Sequence, residues 1–319
     1  MKRLFLLVAL VCAPVLLFRG ELTYYLSLMT MAGISAIVAI SLNLLLGYTG
    51  QISLCHAAFF GLGAYAAAIT SVNFGLNPWL GLSFSGVLPA GVAVLVGLPT
   101  VRLKEHYLAM ATLGIGVIVY ASLRADPFGA TGGPGGIFAI PALELLGVKV
   151  DSDVSRHVLV AAVLIIVYVL CESLIRSRFG ALMQAVHASP KAVSSLGIDL
   201  EAAKLKVFVL SASLAGLAGG LYCFCSPLAY INPDDVASVM LSVKFIVMVV
   251  IGGSMSLLGG VVGALVVVWL PELLRASSAW VPLVNPTDLE AVIYGVVLIA
   301  TLIYAPQGLI RPGGSHAQG

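Results

Sequence analysis

The chain is laid out as long apolar runs separated by short clusters of Gly, Pro, Asn and charged residues. Residues 22–101 contain no Asp, Glu, Lys or Arg. A membrane-crossing helix needs about 20 mostly apolar residues at 1.5 Å rise each. Two clusters interrupt the uncharged stretch, Gly47-Tyr48-Thr49-Gly50-Gln51 and Asn73-Phe74-Gly75-Leu76-Asn77-Pro78. Residues of these types break helices, so three spans are predicted there. Further spans are predicted at about 4–18, 106–123, 157–175, 207–229, 238–256, 258–274 and 288–305, which makes ten. The pair around 238–274 is joined by Gly252-Gly253-Ser254 and Gly259-Gly260, and one of the two need not cross fully. The expected fold is an all-α membrane protein, a polytopic bundle of about ten transmembrane helices. It forms one domain over residues 1–311, followed by a flexible tail at 312–319.

Composition excludes the soluble alternatives. Of 319 residues, 60% are hydrophobic and 9% charged, against about 25% charged in an ordinary soluble domain. Mean hydropathy is +1.09. Charges are expensive in hydrocarbon, so a chain this poor in them is matched to a lipid bilayer. The formal net charge of +2 comes with no basic stripe, and nucleic acid is not an expected partner. Met1-Lys2-Arg3 before an apolar run also resembles a secretory signal. A retained anchor is favoured, because a small-x-small cleavage site is poorly formed and Arg19 and Glu21 follow at once.

Orientation follows from the basic residues. With the N-terminus inside and ten spans, Lys2, Arg3, Arg102, Lys104, Arg176, Arg178, Lys191, Lys204, Lys206 and Arg311 fall inside. Arg19, Arg124, Lys149, Arg156 and Arg275 fall outside, half as many, and Lys244 alone lies within a span. That bias obeys the positive-inside rule and predicts both termini to be cytoplasmic.

Little catalytic or metal chemistry is written in the chain. Cys12, Cys55, Cys171, Cys223 and Cys225 all sit in apolar segments and read as packing residues. Cys223-Phe-Cys225 is a lone C-x-C with no second pair at a zinc spacing. Cys55 and His56 point about 100° apart on a helix, which suits packing better than joint ligation. There is no G-x-S-x-G elbow, no H-E-x-x-H and no Gly-Lys pair to build a phosphate loop. The chain is therefore not expected to be an enzyme or to bind ATP or a metal.

Two loops and one polar cluster stand out. The outer loop, 124–156, carries Thr131-Gly132-Gly133-Pro134-Gly135-Gly136, a set of tight turns or a docking surface. The loop 176–206 is basic and expected to be cytoplasmic. In it, Ser189 suits a helix N-cap, Pro190 the first helical position and Gly197 the C′ position, with Asp199 capping the next helix. It is either a solvated tether or a short capped helix outside the membrane. Between Ser41 and His56, the residues Ser41, Asn43, Tyr48, Thr49, Gln51, Ser53 and His56 concentrate polarity at a Gly-rich break. Irregular backbone at membrane depth is tolerated where it is buried in protein or lines a cavity. The segment is thus a broken helix beside a solute path or an ordinary cytoplasmic hairpin. Gly216-x-x-x-Gly220 and Gly259-x-x-x-Gly263 read as packing motifs.

Residues 42–54, Leu-Asn-Leu-Leu-Leu-Gly-Tyr-Thr-Gly-Gln-Ile-Ser-Leu, followed by His56-Ala57-Ala58-Phe59-Phe60-Gly61-Leu62-Gly63, resemble the signature of the branched-chain amino acid ABC importer permeases, LivM type. Thr131–Ile137 resembles the family's outer-loop motif. Arg176–Ala181, Ala188-Ser189-Pro190-Lys191-Ala192 and Leu196-Gly197-Ile198 resemble its ATPase-coupling loop. Residues 208–222, Val250-Ile251-Gly252-Gly253 and Ala305-Pro306-Gln307-Gly308-Leu309 follow in the family's order. Cys55 departs from the family's usual Gly, and Ala181 and Gln184 stand where a more basic loop is expected.

The resemblance implies a bacterial inner-membrane permease that moves leucine, isoleucine or valine. Its implied partners are a homologous second permease (LivH type), two cytoplasmic ATPase subunits and a periplasmic amino-acid-binding protein. ATP is hydrolysed by the partner subunits and this chain binds no cofactor. Asn43, Gln51, Ser53 and His56 are the candidate pathway residues. Arg178, Gly180, Ala181, Ser189, Pro190, Lys191 and Gly197 are the candidate coupling residues. The alternatives are an ion-coupled secondary transporter, which would need paired ionisable groups deep in its helices, and a related permease for amides, urea or other amino acids.

Overall fold

The computed structural model describes residues 23–103, 105–145, 148–277 and, beyond these, 295, 296, 299, 303 and 308–310. The expected span at 4–18, most of 288–305, both termini and the tail at 312–319 lie outside the described residues. In chain order the helices are α1 (Thr23–Thr49), α2 (His56–Ala68), α3 (Pro78–Thr100), α4 (Glu105–Ala125), α5 (Asp153–Arg176), α6 (Arg178–Ala188), α7 (Pro190–Ser195), α8 (Leu200–Cys225), α9 (Pro233–Ala237), α10 (Val239–Gly252) and α11 (Leu257–Ser277). The strands β1 (Glu144–Leu145) and β2 (Val148–Lys149) form a two-residue antiparallel hairpin. Among the described residues, six helices are long and apolar enough to cross a membrane: α1, α3, α4, α5, α8 and α9 joined to α10. The apolar part of α11, Leu257–Glu272, is shorter.

Local chemistry explains where the elements start. Asn77 accepts from the Trp79 amide with Pro78 at the first helical position, so α3 begins after the expected Asn-Pro break. Ser152, Ser177, Asn232 and Ser238 cap α5, α6, α9 and α10 in the same manner. The α2 helix ends in a π-helical turn, Ile69–Asn73, before Gly75 turns the chain at φ +61°.

Three expectations are corrected. The span expected at 207–229 continues the helix capped by Asp199, as expected, but ends at Cys225 rather than at 229. Residues 226–232 turn away instead, with Ala229 at φ +47°. The loop 176–206 is mostly helical. In particular, α6 escaped notice because Arg178, Gln184 and His187 interrupt its apolar pattern, although it buries Gly180, Met183 and Val186 on one side. The outer loop contains a β-hairpin that its sequence does not announce.

The centre of the bundle is α1, α2 and α8. Every residue of α2 except Leu62 is buried. Lipid tails are as apolar as leucine, so helices in a membrane gain most from close backbone approach through small residues. A Cβ on Gly63 would fall on the Gly216 carbonyl oxygen, and one on Gly219 on that of Phe60. One on Gly216 would fall on the Ser85 carbonyl, locking α3 to the opposite flank of α8. Gly252, Gly259 and Gly263 bring α10 and α11 together likewise. Leu80, Phe84, Val87 and Leu95 on α3, with Ile166 and Leu170 on α5, are exposed apolar residues on the outside of the bundle.

This packing makes one expectation sharp. Gly219→Leu should force α2 from α8 and lower the fraction of monodisperse protein in detergent several-fold, by overpacking. Gly91→Leu, on α3 with nothing within 4 Å, should leave it unchanged. The measurement is size-exclusion of the two variants beside the parent, and equal profiles would refute the close-approach account.

Candidate functional site

Contacts between elements gather at two rims. On one, Arg102 Nε meets Glu201 at 2.9 Å, Gln51 Nε2 donates to the Lys204 carbonyl at 3.5 Å, and the Leu309 and Ile310 amides donate to the carbonyls of Ile251 and Gly252. Arg176, Arg178, Lys191, Lys204 and Lys206 are at this rim as well, with α6 and α7. On the other, Asn73 donates to the Ala130 carbonyl, the Trp79 indole to the Glu144 carbonyl, and Ile137 pairs with Ile231. There Asp234 accepts from Tyr120, whose hydroxyl also takes Arg124.

The polar cluster of residues 41–56 sits at the basic rim and runs into the core. After α1 the chain turns at Gly50, φ +69°, and reaches α2 through Gln51–Cys55. Ser211 Oγ on α8 donates to the Ser41 carbonyl at 2.7 Å, so its oxygen accepts from His56 Nε2 at 2.8 Å. His56 Nδ1 is then left to accept from Ser53 Oγ at 3.1 Å. All four residues are buried. The break is tied further by Thr112, whose hydroxyl accepts from the Leu54 amide, and by Ser242, which accepts from Ala57 N at the start of α2. Cys55, at φ −107°, occupies a conformation open to any residue and does not require glycine.

Asn43 points elsewhere. It is buried, its Nδ2 donates to the carbonyls of Gly253 and Ser256, and its Oδ1 accepts from the Met255 amide at 2.9 Å. Tyr48 donates to the Met255 carbonyl. These bonds hold the turn between α10 and α11, in which Met255 has φ +68°. Gln51 is also buried, with Nε2 on Thr49 Oγ1 and Oε1 lacking a partner among the described residues. The structure thus joins Ser53 and His56 in one chain of hydrogen bonds and sends Asn43 to a different turn. Ser211, Thr112, Ser242 and Ser256 were not singled out in sequence, because a lone Ser or Thr in a span ordinarily satisfies its own helix backbone.

The helix features of the second candidate set are present. Ser189 accepts from the Ala192 amide, Pro190 opens α7, and Gly197 has φ +74° just past its end. Gly180 packs where a Cβ would strike the Ile175 carbonyl. Arg178, Ala181 and Lys191 are exposed, and Leu196 is exposed at 76%. The break and the helical pair touch: a Cβ on Gly50 would lie 2.6 Å from His187 Nδ1 at the end of α6.

The branched-chain amino acid transport system / permease component family model matches residues 24–302. The chain belongs to that family. It is 30% identical to the high-affinity branched-chain amino acid transport system permease protein LivM of Salmonella typhimurium, over 97% of this chain and 75% of that protein. The LivM of Escherichia coli K12 is 29% identical over the same shares. A probable branched-chain amino acid transport permease protein LivH of Methanocaldococcus jannaschii is 26% identical over 86% of this chain and 88% of its own. No solved structure matches the chain.

Two expectations follow from these contacts. Asn43→Leu leaves the Met255 amide and two carbonyls without their partner. It should cost about 1–3 kcal/mol for each such group that stays buried, read as a lower unfolding temperature in detergent. A Leu variant as stable as the parent would mean the turn does not depend on Asn43. At the opposite rim, Asp126 is held below the usual carboxylate range, first by the Thr131 amide and then by Thr131 Oγ1 and the amides of Ala130 and Gly132. A depressed folded value contributes stability above the ordinary Asp value, about 3.9, and loses it as pH falls through the folded value. The ratio of pepsin nicking of residues 126–136 in the parent to that in Asp126→Asn should therefore rise as the medium is acidified below pH ~4, which separates the loop from the protease's own pH dependence.

Proposed function

We propose that this chain is the membrane-spanning subunit of an ATP-binding cassette importer that carries leucine, isoleucine or valine across the bacterial inner membrane. Its family and its relatives' names support the permease role. The proposed arrangement has ten spans in a single domain, with both termini cytoplasmic and the basic rim facing the cytoplasm. Similarity to both LivM and LivH proteins supports pairing with a second, homologous permease. A periplasmic binding protein would deliver the amino acid at the rim carrying β1 and β2. This chain has no Gly-Lys pair for a phosphate loop, so two cytoplasmic ATPase subunits supply the work.

The observation that carries the coupling assignment is the pair α6 and α7. It projects at the basic rim, is capped at Ser177 and Ser189, and exposes both Leu196 and Lys191. An exposed leucine on an element that also exposes Arg178 and Lys191 suits burial against a protein partner with a complementary acidic edge. Because His187 rests on Gly50, displacement of α6 has a direct contact with the broken segment that leads to Ser53 and His56. In this reading those residues border the path, and Asn43 braces it.

Two measurements test the proposal. Reporter fusions at residue 140 should read periplasmic and at 192 cytoplasmic. In the assembled complex, Ser189→Ala should cost about 1 kcal/mol of local helix stability. Combined with Gly197→Val, at a backbone that glycine favours, it should reduce amino-acid-stimulated ATP hydrolysis several-fold while the permease pair still forms. Normal turnover in the double variant would make the loop a mere tether.

A further inference from the structure

The motif Ala305-Pro306-Gln307-Gly308-Leu309 has no task in the transport scheme above. Gly308, Leu309 and the following Ile310 are among the described residues, and they form a strap across the end of α10. The Leu309 amide donates to the Ile251 carbonyl at 2.9 Å, and the Ile310 amide to the Gly252 carbonyl at 3.0 Å. Both carbonyls belong to the last turn of a helix, where donors from the helix itself have run out. Fastening the strap there sets two glycines face to face. Gly308 has φ +75° and Gly253 φ +112°, and a Cβ on Gly308 would fall 2.2 Å from the Gly253 Cα. Such backbone is open to glycine and strained for other residues.

The strap is tied to a turn that α1 also holds. Asn43 donates to the Gly253 and Ser256 carbonyls and Tyr48 to that of Met255, and a Cβ on Gly47 would lie 2.5 Å from the Met255 nitrogen. Three residues further on, Gly50 meets His187 of α6. The end of α1 therefore touches both the α6–α7 pair and the strapped turn, just before the broken segment Gln51–Cys55. A load on either element reaches the same backbone. The strap's amides do the capping, which leaves the Leu309 side chain free of that duty and 57% exposed. Leu196 and Ile198 are exposed at this rim too, as are Arg178, Lys191 and Lys206. Because α1 and α10 both end here, the rim is a place for water or protein rather than for lipid tails. A single exposed leucine is ordinary. Three apolar side chains on backbone-fixed elements of one cationic rim suit a protein partner with apolar pockets inside an acidic edge.

We propose that the strap 308–310 is a second docking surface for the cytoplasmic ATPase, with Leu309 as its apolar anchor, so that the ATPase holds this chain at α7 and at the strap and moves the end of α1 through both. The proposal rests on the transport reading above and deepens it by giving the ATPase a contact outside the loop 176–206.

The experiment places the photoreactive residue p-benzoylphenylalanine at position 309, 196 or 95 of this chain, in the full complex with its ATPase subunits in proteoliposomes. After irradiation, the mass of each adduct identifies what that side chain touches. Positions 309 and 196 should each capture the ATPase, whereas position 95, exposed on the outside of α3, should not. If 196 captures the ATPase while 309 captures lipid, the second permease or nothing, the strap surface is wrong and the coupling reading survives. If neither captures it, both are wrong, and capture at 309 alone keeps the strap and overturns α7 as the coupling element. Leu309→Asp gives a second measurement without the bulky probe. The side chain is exposed and the strap's amides remain, so this variant should keep the parent's size-exclusion profile yet retain several-fold less ATPase on the immobilised permease pair. Retention equal to the parent's, or loss of the profile itself, would remove Leu309 as a docking anchor.

Discussion

The structure depends on two backbones touching. Between α2 and α8 no side chain intervenes where Gly63 meets Gly216 and Gly219 meets Phe60. In a bilayer the usual hydrophobic drive between helices is absent, so contact area and short-range hydrogen bonds must hold the bundle. Close approach supplies both at once. It brings Ser211 of α8 within reach of Ser41 on α1 and His56 on α2, and it lets Gly216 and Gly220 present an open flank to Ser85 of α3. Widening that seam by a methyl group would separate the hydroxyl of Ser211 from its partners as well as the helices themselves.

The same constraint governs the irregular backbone. Gln51–Cys55 passes through protein rather than lipid, and its amides must find partners there because no water competes for them. Thr112 and Ser242 answer the amides of Leu54 and Ala57, and Ser53 turns its hydroxyl to His56. The turn at Met255 is answered by Asn43 and Tyr48. Polar side chains in this bundle are therefore placed chiefly where helices stop. Their cost in hydrocarbon is offset by the backbone groups they satisfy.

Legibility in the sequence follows from how local each determinant is. The breaks at 47–51 and 73–78, the cap at Ser189, Pro190 at the start of α7, the positive φ of Gly197 and the cap at Asp199 were all readable, because each is decided within four residues. The packing glycines were readable as a motif, though not which partner they meet. The α6 helix was missed because it is amphipathic at the membrane edge, where polar residues at Arg178, Gln184 and His187 resemble a loop. The divergence of Asn43 from His56 was also hidden. The two lie on successive helices, close in sequence, and only the return of residues 253–256 from far along the chain decides which way the amide turns.

Charge at the rims contributes direction rather than stability. The pairs Arg102–Glu201 and Lys149–Glu144 are more than half exposed, and such pairs contribute about 0–1 kcal/mol each. Arg176–Glu172, one turn apart on α5, also leaves its arginine largely in solvent. None of these can carry the stability of the bundle. What the rim cations determine is direction, since Arg102, Arg176, Arg178, Lys191, Lys204 and Lys206 gather on one side, and a cation resists transfer across the membrane far more than it rewards a surface partner.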